Sequence, residues 1–326
     1  MLCIKRIQTN PYFNLAAEEY FLKEFTENIF MLWRNEPCVI VGKHQNTLAE
    51  INLDYVNAHH IPVVRRLSGG GAVFHDLGNL NFTFIQNGEH ETLIDFRKYT
   101  QPILDILLKL GINARFEGRN DLTIDGKKFS GNAEHIFKNR ILHHGTLLFS
   151  SQMTDLTAAL KVDPSKFQDK AIKSVQSRVT NISEHLHSPL DVLQFKEMVM
   201  NHIMEMYPET YLYEMTENDI AGISSLKEKK YSTWKWNFGY SPKYKLQKSI
   251  KTTGGKLDFD LDVKDGIIID IQIFGDFFNK HDILDVSLLL KGIPHEKNFI
   301  RSELSKINFE DYFPQIESEE FINGLF

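Results

Sequence analysis

"RRLSGGGAVFHDLGNLNFTF", residues 65–84, sets two arginines against three consecutive glycines and then alternates apolar with polar residues. Glycine lets a backbone turn freely and lets another group approach it closely, but ordering it costs more entropy than ordering any other residue. Arginine offers a planar fork of donors suited to phosphate or carboxylate. Together they suggest an anion held against bare backbone, because a buried guanidinium with no anion would be expensive. Beyond the glycines, Leu80, Phe82 and Phe84 face one way and Asn79, Asn81 and Thr83 the other, the period of a strand. A Walker loop would need Gly-Lys-Ser/Thr after four residues, and a dinucleotide fingerprint would open a helix. Here "VVRR" leads in as a strand and the glycines lead out into another. The unit is strand–loop–strand, so neither motif applies.

Upstream, "NLAAEEYFLKEF" reads as a helix with Leu15, Tyr20, Leu22 and Phe25 on its apolar side and Asn14 as a cap. "IFMLWR" and "CVIVG" are strands separated by Asn35-Glu36-Pro37, and "LDYVNAHH" is a short helix. Downstream, "RKYTQPILDILLKLGI" is an amphipathic helix ending near Gly111. "ARFEGRNDLTIDGKKFSG" carries the hairpin turn Asp125-Gly126, and "ILHHGTLLFS" is a further strand. Its two histidines, like His59-His60, read as strand or helix residues without a partner, since no third ligand stands at metal-site spacing. In "PLDVLQFKEMVMNHIMEMY", Leu193, Met200 and Met204 mark an apolar face, and the methionines read as core filling. "YSTWKWNFGYSPKYKL" is aromatic, turn-rich and broken by Pro242. After it, "GKLDFDLDVKDGIIIDIQIFGDF" is a hairpin around Asp265-Gly266, and "DILDVSLLLKG" and "FIRSELSKI" are helical. Two strands and two helices make a small α+β unit, so the chain divides into residues 1–244 and 245–326.

Composition narrows the class. The 326 residues are 42% hydrophobic and 25% charged, with a formal charge of −6. That balance argues against a general nucleic-acid binder. Two cysteines, Cys3 and Cys38, cannot staple a fold of this size, which points to a reducing, cytoplasmic setting. The opening "MLCIKRIQTN" lacks the apolar run of a signal peptide, and no stretch approaches the ~20 apolar residues that cross a bilayer. Neither a membrane nor a nucleic acid is expected as a partner.

Two more clusters carry polar chemistry. In "GRNDLTIDGKKFSGNA", residues 118–133, Asn120 and Asp121 are oxygen ligands of the kind Mg2+ prefers, and Lys127 and Lys128 follow the hairpin turn. The alternative is a solvated hairpin with surface lysines. "SVQSRVTNI", residues 174–182, reads otherwise as a loop with a surface arginine.

Taken in order, "RRLSGGGAVFHDLGNLNFTF", "GRNDLTIDGKKFSGNA", "HHGTLLF" and "SVQSRVTNI", with "NPYFNLAAEEY" and "WKWNFGYSP", resemble the bacterial lipoate–protein ligase A family along the whole chain. The resemblance implies a catalytic domain like that of biotin ligases and class II aminoacyl-tRNA synthetases, with a small mobile α+β accessory domain at the C-terminus. It implies ATP and lipoate as substrates with Mg2+, formation of lipoyl-adenylate and pyrophosphate, and transfer to a lysine of an acceptor. The acceptors implied are lipoyl domains of 2-oxoacid dehydrogenase E2 subunits and the glycine cleavage H protein. By motif position Arg66 and the backbone of Gly71, Ala72, Val73 and Phe74 would hold ATP, Lys128 would contact both ATP and lipoate, and Ser68 and Gly70 would contact lipoate. Asn120 and Asp121 fall at nucleotide and Mg2+ contacts, Asp121 as the metal ligand. The chemistry suits the residues: a carboxylate attacking a phosphate needs fixed positive charge and preorganised N–H donors, and an alkyl tail needs an apolar slot. An ATP-independent octanoyl or lipoyl transferase of the same fold would need a cysteine nucleophile. Biotin ligases carry a Gly-Arg-Gly-Arg-x-Gly loop absent here, and a non-catalytic lipoate-binding protein would keep only the pocket. Whether lipoate or octanoate is preferred stays open.

Overall fold

The computed structural model describes residues 1–88, 94–152, 158–160, 179–277 and 279–326. Its strands are β1 (Leu2–Lys5), β2 (Ile29–Trp33), β3 (Cys38–Val41), β4 (Val63–Arg65), β5 (Val73–His75), β6 (Asn79–Asn87), β7 (Ala114–Glu117), β8 (Asp121–Ile124), β9 (Lys127–Phe137), β10 (Arg140–Leu148), β11 (Tyr211–Leu212), β12 (Tyr244–Thr252), β13 (Gly255–Lys264) and β14 (Ile267–Gly275). Eight form one mixed sheet in the order β11-β1-β2-β6-β10-β9-β8-β7, with β1 parallel to both its neighbours and the other pairs antiparallel. A second sheet, β4-β3-β5, carries the glycine loop between its outer strands. The strand–loop–strand reading therefore holds, and the fold is mixed α/β with a separate C-terminal unit.

Both faces of the large sheet are covered. One packs Phe30, Phe82, Phe84 and Leu147 against helices Phe96–Lys109 and Val192–Met206. The other packs Met31, Trp33, Ile85 and Leu142 against helix Pro11–Glu24 and the small sheet. The polar side of β6 is thus inside the protein: Asn79, Asn81 and Thr83 are all at most 1% exposed. Period two marks the two faces of a strand but not what covers them.

Local chemistry sets the ends of the elements. Helix Pro11–Glu24 begins earlier than its apolar pattern, because Pro11 at the first helical position fixes the start and Asn10 caps it by accepting from Phe13 N at 3.0 Å. Asn14, expected as the cap, is fully buried inside the helix. Asp125-Gly126 and Asp265-Gly266 both take left-handed conformations, with φ of 50° and 72° and of 52° and 72°, the backbone that tight hairpins demand. Leu193 is exposed, since the buried side of its helix is centred on Phe195, Val199 and Ile203. The C-terminal unit holds three antiparallel strands rather than two, and helices Phe309–Tyr312 and Ser318–Gly324 in addition to the two expected. In β12 the buried Tyr244 and Leu246 alternate with long exposed polar side chains, which obscured the strand in the sequence.

"WKWNF" is helical rather than a loop: wide helical turns span Lys227–Tyr231 and Lys235–Gly239. Arg65 gives the reason. Its wholly buried guanidinium donates to the carbonyls of Gly42 (3.0 Å), Lys43 (3.0 Å), Gln45 (2.8 Å), Trp236 (3.0 Å) and Asn237 (3.0 Å) and to the hydroxyls of Thr47 (2.6 Å) and Ser241 (3.1 Å). The anion expected from an arginine beside glycines is replaced here by a cage of backbone dipoles. Removing the fork would strand several buried carbonyls, each costing roughly 1–3 kcal/mol. Arg65→Met should therefore lose at least ~3 kcal/mol in denaturant unfolding, and Arg65→Lys should not rescue it, because an ammonium cannot span the two halves of the cage.

Candidate active site

Between the large sheet and the glycine loop lies a cavity of about 980 Å³. Its floor is one row of the sheet. Trp33 pairs with Asn81, Asn81 with Thr146, Thr146 Oγ1 accepts from Gly131 N, and Gly131 pairs with Asp121. Directly paired residues share a face, and all five line the cavity. Four interstrand steps of ~4.8 Å make the floor roughly 19 Å across.

The glycine loop forms one wall, with Gly69, Gly70, Gly71, Ala72, Val73 and Phe74 all lining it. Gly70 has φ of +92° and a Cβ there would meet Arg66 Nη2 at 2.9 Å; a Cβ on Gly42 would lie 2.0 Å from Gly70 O. Only glycine fits either position. Arg66 lines the cavity and shapes the loop at once. It donates from Nε to Ser68 Oγ (3.0 Å), from Nη2 to Gly69 O (2.6 Å) and Gly71 O (2.9 Å), and from Nη1 to Ile40 O (3.3 Å). Drawing carbonyls toward the guanidinium leaves the loop's N–H groups for whatever occupies the cavity. Burial lowers the Arg66 pKa to about 10, and Glu18 nearby opposes the shift.

Ser68 is buried behind the loop rather than on the cavity surface. Its hydroxyl meets His144 Nε2 at 2.6 Å, and His144 Nδ1 meets Glu18 Oε1 at 3.0 Å. Thr83 Oγ1 also donates to that carboxylate at 2.6 Å and in turn accepts from Trp33 Nε1 at 2.9 Å. His143 pairs with Glu134 at 2.8 Å. The two histidines expected without partners both have carboxylate partners, supplied by strands and a helix that their own sequence neighbourhood does not reveal.

Across the cavity Lys128 Nζ lies 2.7 Å from Asp121 Oδ1, both about one-third exposed. A Cβ on Gly131 would sit 3.2 Å from Lys128 Cε and Nζ, so the glycine makes room for the ammonium. The Lys128 carbonyl accepts from Thr180 N at 2.9 Å, and Lys128 bridges Val179. Asn120 clasps Asn132 across the strands through reciprocal amide–carbonyl bonds, and both line the cavity. The structure thus brings Arg66, Gly70–Phe74, Asn120, Asp121 and Lys128 around one space, while Lys127 points into solvent. Residues 174–178 of the third cluster lie outside the described residues.

Sequence reading missed Glu18, Trp33, His75, Asn79, Asn81, Asn132 and His144. The polar side of β6 was the available signal. Burial drives His75 down to about 3, helped by Arg66 and His144, and raises Glu134 to about 7. Neither cysteine lines the cavity; burial raises Cys3 to about 12 and lifts Cys38 well above its ordinary value.

Comparison with known proteins gives the family and the fold. The family model of the lipoyl protein ligase A/B catalytic domain matches residues 10–204, and that of the bacterial lipoate protein ligase C-terminus matches residues 241–325. Lipoate–protein ligase 1 of Staphylococcus aureus is 43% identical over 318 residues, covering 96% of each chain. Among solved structures, one described as a bipartite lipoate protein ligase and its E2 lipoyl domain from Thermoplasma acidophilum superposes with a TM-score of 0.64 at 30% identity, over 73% of this chain and 96% of that one. A lipoate-protein ligase A bound with ATP gives 0.63 at 27%, over 74% and 100%.

Two outcomes follow from the site's packing. Gly42→Ala should push the glycine loop from its place, weakening nucleotide binding in calorimetry by tenfold or more, ~1.4 kcal/mol, with a smaller effect on Tm. His75 remains neutral in the folded protein down to about pH 3, whereas an unfolded histidine protonates below about 6.5. The unfolded state therefore binds the extra proton as pH falls through that window, and stability falls with it. In urea titrations between about pH 6.5 and 5, His75→Gln should flatten that decline by up to one proton.

Proposed function

The chain belongs to the lipoate–protein ligase family, and from that premise we propose that it activates lipoate with ATP and passes the lipoyl group to a lysine of a lipoyl domain. The observation that carries this is the placement of Lys128 opposite a loop of backbone N–H donors across one cavity with a long floor. In the first step a lipoate carboxylate oxygen attacks the α-phosphorus and pyrophosphate leaves. Two anions must approach, so catalysis falls to preorganised positive charge and N–H groups. Lys128 sits between the carboxylate and the phosphate, giving up its contact with Asp121. The N–H groups of Gly71 to Phe74 hold phosphate oxygens. Arg66 both sustains the loop and meets the nucleotide from behind it, and Ser68 and Gly70 keep the loop's inner edge against lipoate. In the second step the acceptor lysine attacks the acyl carbon, AMP departs on its phosphate oxygen, and the amine loses a proton.

Mg2+ suits the donors present. It binds through one or two carboxylates, substrate phosphates and water, and no cluster of three or more His, Cys, Asp or Glu exists among the described residues to make a protein cage. Asp121, with Asn120 beside it, would hold the ion, which would supply neutralisation of the phosphate charge. The acceptor is a lipoyl domain of a 2-oxoacid dehydrogenase E2 subunit or of the glycine cleavage H protein, and the reaction belongs in the cytoplasm, where ATP and these acceptors meet. We divide the chain into residues 1–244 and 245–326, a reading supported by a C-terminal hydrophobic core that draws its buried members from Tyr244 onward. No helix among the described residues is long and apolar enough to cross a membrane. A transferase using cysteine finds no support, since both thiols are buried away from the cavity.

Lys128→Ala should lower lipoate-dependent pyrophosphate release by roughly a hundredfold to a thousandfold while leaving the unfolding midpoint near wild type, and Lys127→Ala should be mild. Lipoyl-adenylate formation by the Lys128 variant at near wild-type rate would remove the assignment. Lipoylation of an acceptor domain without ATP, read by intact mass, would replace the ligase with a transferase.

A further inference from the structure

A line of buried amides runs through the fold to the cavity. Arg6 Nη2 donates to Asn14 Oδ1. A guanidinium only donates, so that atom is the carbonyl oxygen of the amide. Asn14 Nδ2 donates to Gln8 O (3.1 Å) and Arg34 O (2.8 Å), which only accept, and to Asn35 Oδ1 (2.8 Å). Asn35 must then turn its NH2 group to His75 Nδ1, at 3.1 Å. Reversing either amide would set donor against donor or acceptor against acceptor. His75 Nδ1 is therefore an acceptor, and the proton of the neutral ring is on Nε2. That atom is buried and has no partner among the described residues, although His75 lines the cavity.

Its neighbours are unsatisfied in the same way. Asn79 Nδ2 donates to Asn81 Oδ1 at 2.9 Å, leaving Asn79 Oδ1 and Asn81 Nδ2 buried and unpaired. In either orientation of this pair, one N–H and one carbonyl oxygen remain without a partner in the cavity wall. Three residues at most 3% exposed thus hold unmet hydrogen-bonding groups at the Trp33 end of the cavity. A buried donor left unmet is costly, so a group that accepts would be stabilised at this end.

Distance says what. Asn81 stands two strands from Gly131, beside which Lys128 lies, so the separation is about 10 Å. A five-carbon acid chain ending in a dithiolane ring is roughly 10 Å long at ordinary carbon–carbon bond lengths. With its carboxylate at Lys128, the ring sulfurs reach His75 and Asn81. Divalent sulfur is a weak acceptor, whereas the end of an unbranched fatty acid offers only C–H.

We propose that Arg6, Asn14 and Asn35 are positioning residues that lock His75 as a neutral Nε2–H donor, and that this donor, with the Asn79–Asn81 pair, recognises the ring sulfurs and makes lipoate preferred over octanoate. The inference rests on the ligase reading above and names its specificity.

The test compares lipoate with 5-cyclopentylpentanoate, which has the same shape without sulfur. Wild-type protein should use the carbocyclic acid about tenfold less well in kcat/KM for pyrophosphate release, the scale of one unmade buried hydrogen bond. His75→Phe should bring the two acids within about twofold, and His75→Gln, which keeps an N–H, should restore most of the gap. Equal use of both acids by the wild type overturns the recognition. Independently, 15N NMR of the histidine-labelled wild-type protein should show a protonated Nε2 and an unprotonated Nδ1 on His75 between about pH 6 and 8; the opposite tautomer overturns the relay, even if a variant fails to fold. Should no acid release pyrophosphate, the ligase reading fails, and the same acid pair compared by binding calorimetry still decides the recognition.

Discussion

Everything at this site depends on two guanidinium groups solvated by carbonyl oxygens instead of by counter-ions. A fully charged arginine inside a protein must be compensated, and here the compensation is the backbone itself. Arg65 gathers the turn after β3 and the helical turn at 235–239 around one fork. Arg66 gathers the glycine loop. The loop's shape follows from these bonds, the close approach of Gly42 follows from the loop, and the cavity is the space left between the loop and the large sheet. Charge is used first to build a surface and only then to meet a substrate.

Hydrogen-bond direction is the second theme. Groups that can only donate or only accept, such as guanidinium and backbone carbonyl, act as fixed points from which amide and imidazole orientations propagate. Arg6 anchors one such series, and Arg66 anchors another, in which Nε–H on Ser68 leaves the serine hydroxyl to donate to His144 and the His144 Nδ1–H to face Glu18. The first ends at the cavity wall in His75, and the second touches the wall at Arg66 and His144. Neutral side chains of the wall thereby acquire defined orientations, fixed from charged groups elsewhere.

Much of this was legible in the residues. The loop between two strands, the Asp-Gly hairpins and the C-terminal unit could be read because each is local: a turn chemistry, a period, a run of glycines. What could not be read is non-local. Nothing near His143 or His144 announces that Glu134 and Glu18 will face them, and nothing near Arg65 shows that the carbonyls of residues 42–45 and 236–237 will surround it. β6 shows the limit well. Its alternation was plain, but its polar face is buried by a helix and a sheet from elsewhere in the chain. Asp121 and Lys128, seven residues apart, do meet across neighbouring strands, while Ser68 and Arg66 revealed their packing only in three dimensions.

The cage around Arg65 also has a history in time. Its last polar member, Ser241, is 176 residues further along the chain. Ribosomes extend a chain at ~5–20 residues per second, so roughly nine to thirty-five seconds pass between the emergence of the arginine and the emergence of its final partner. During that interval the cage stands incomplete. A nascent chain with its first ten strands complete holds Arg65 without the partners that residues 236, 237 and 241 bring to it, so the buried charge is fully compensated only in chains finished beyond residue 241.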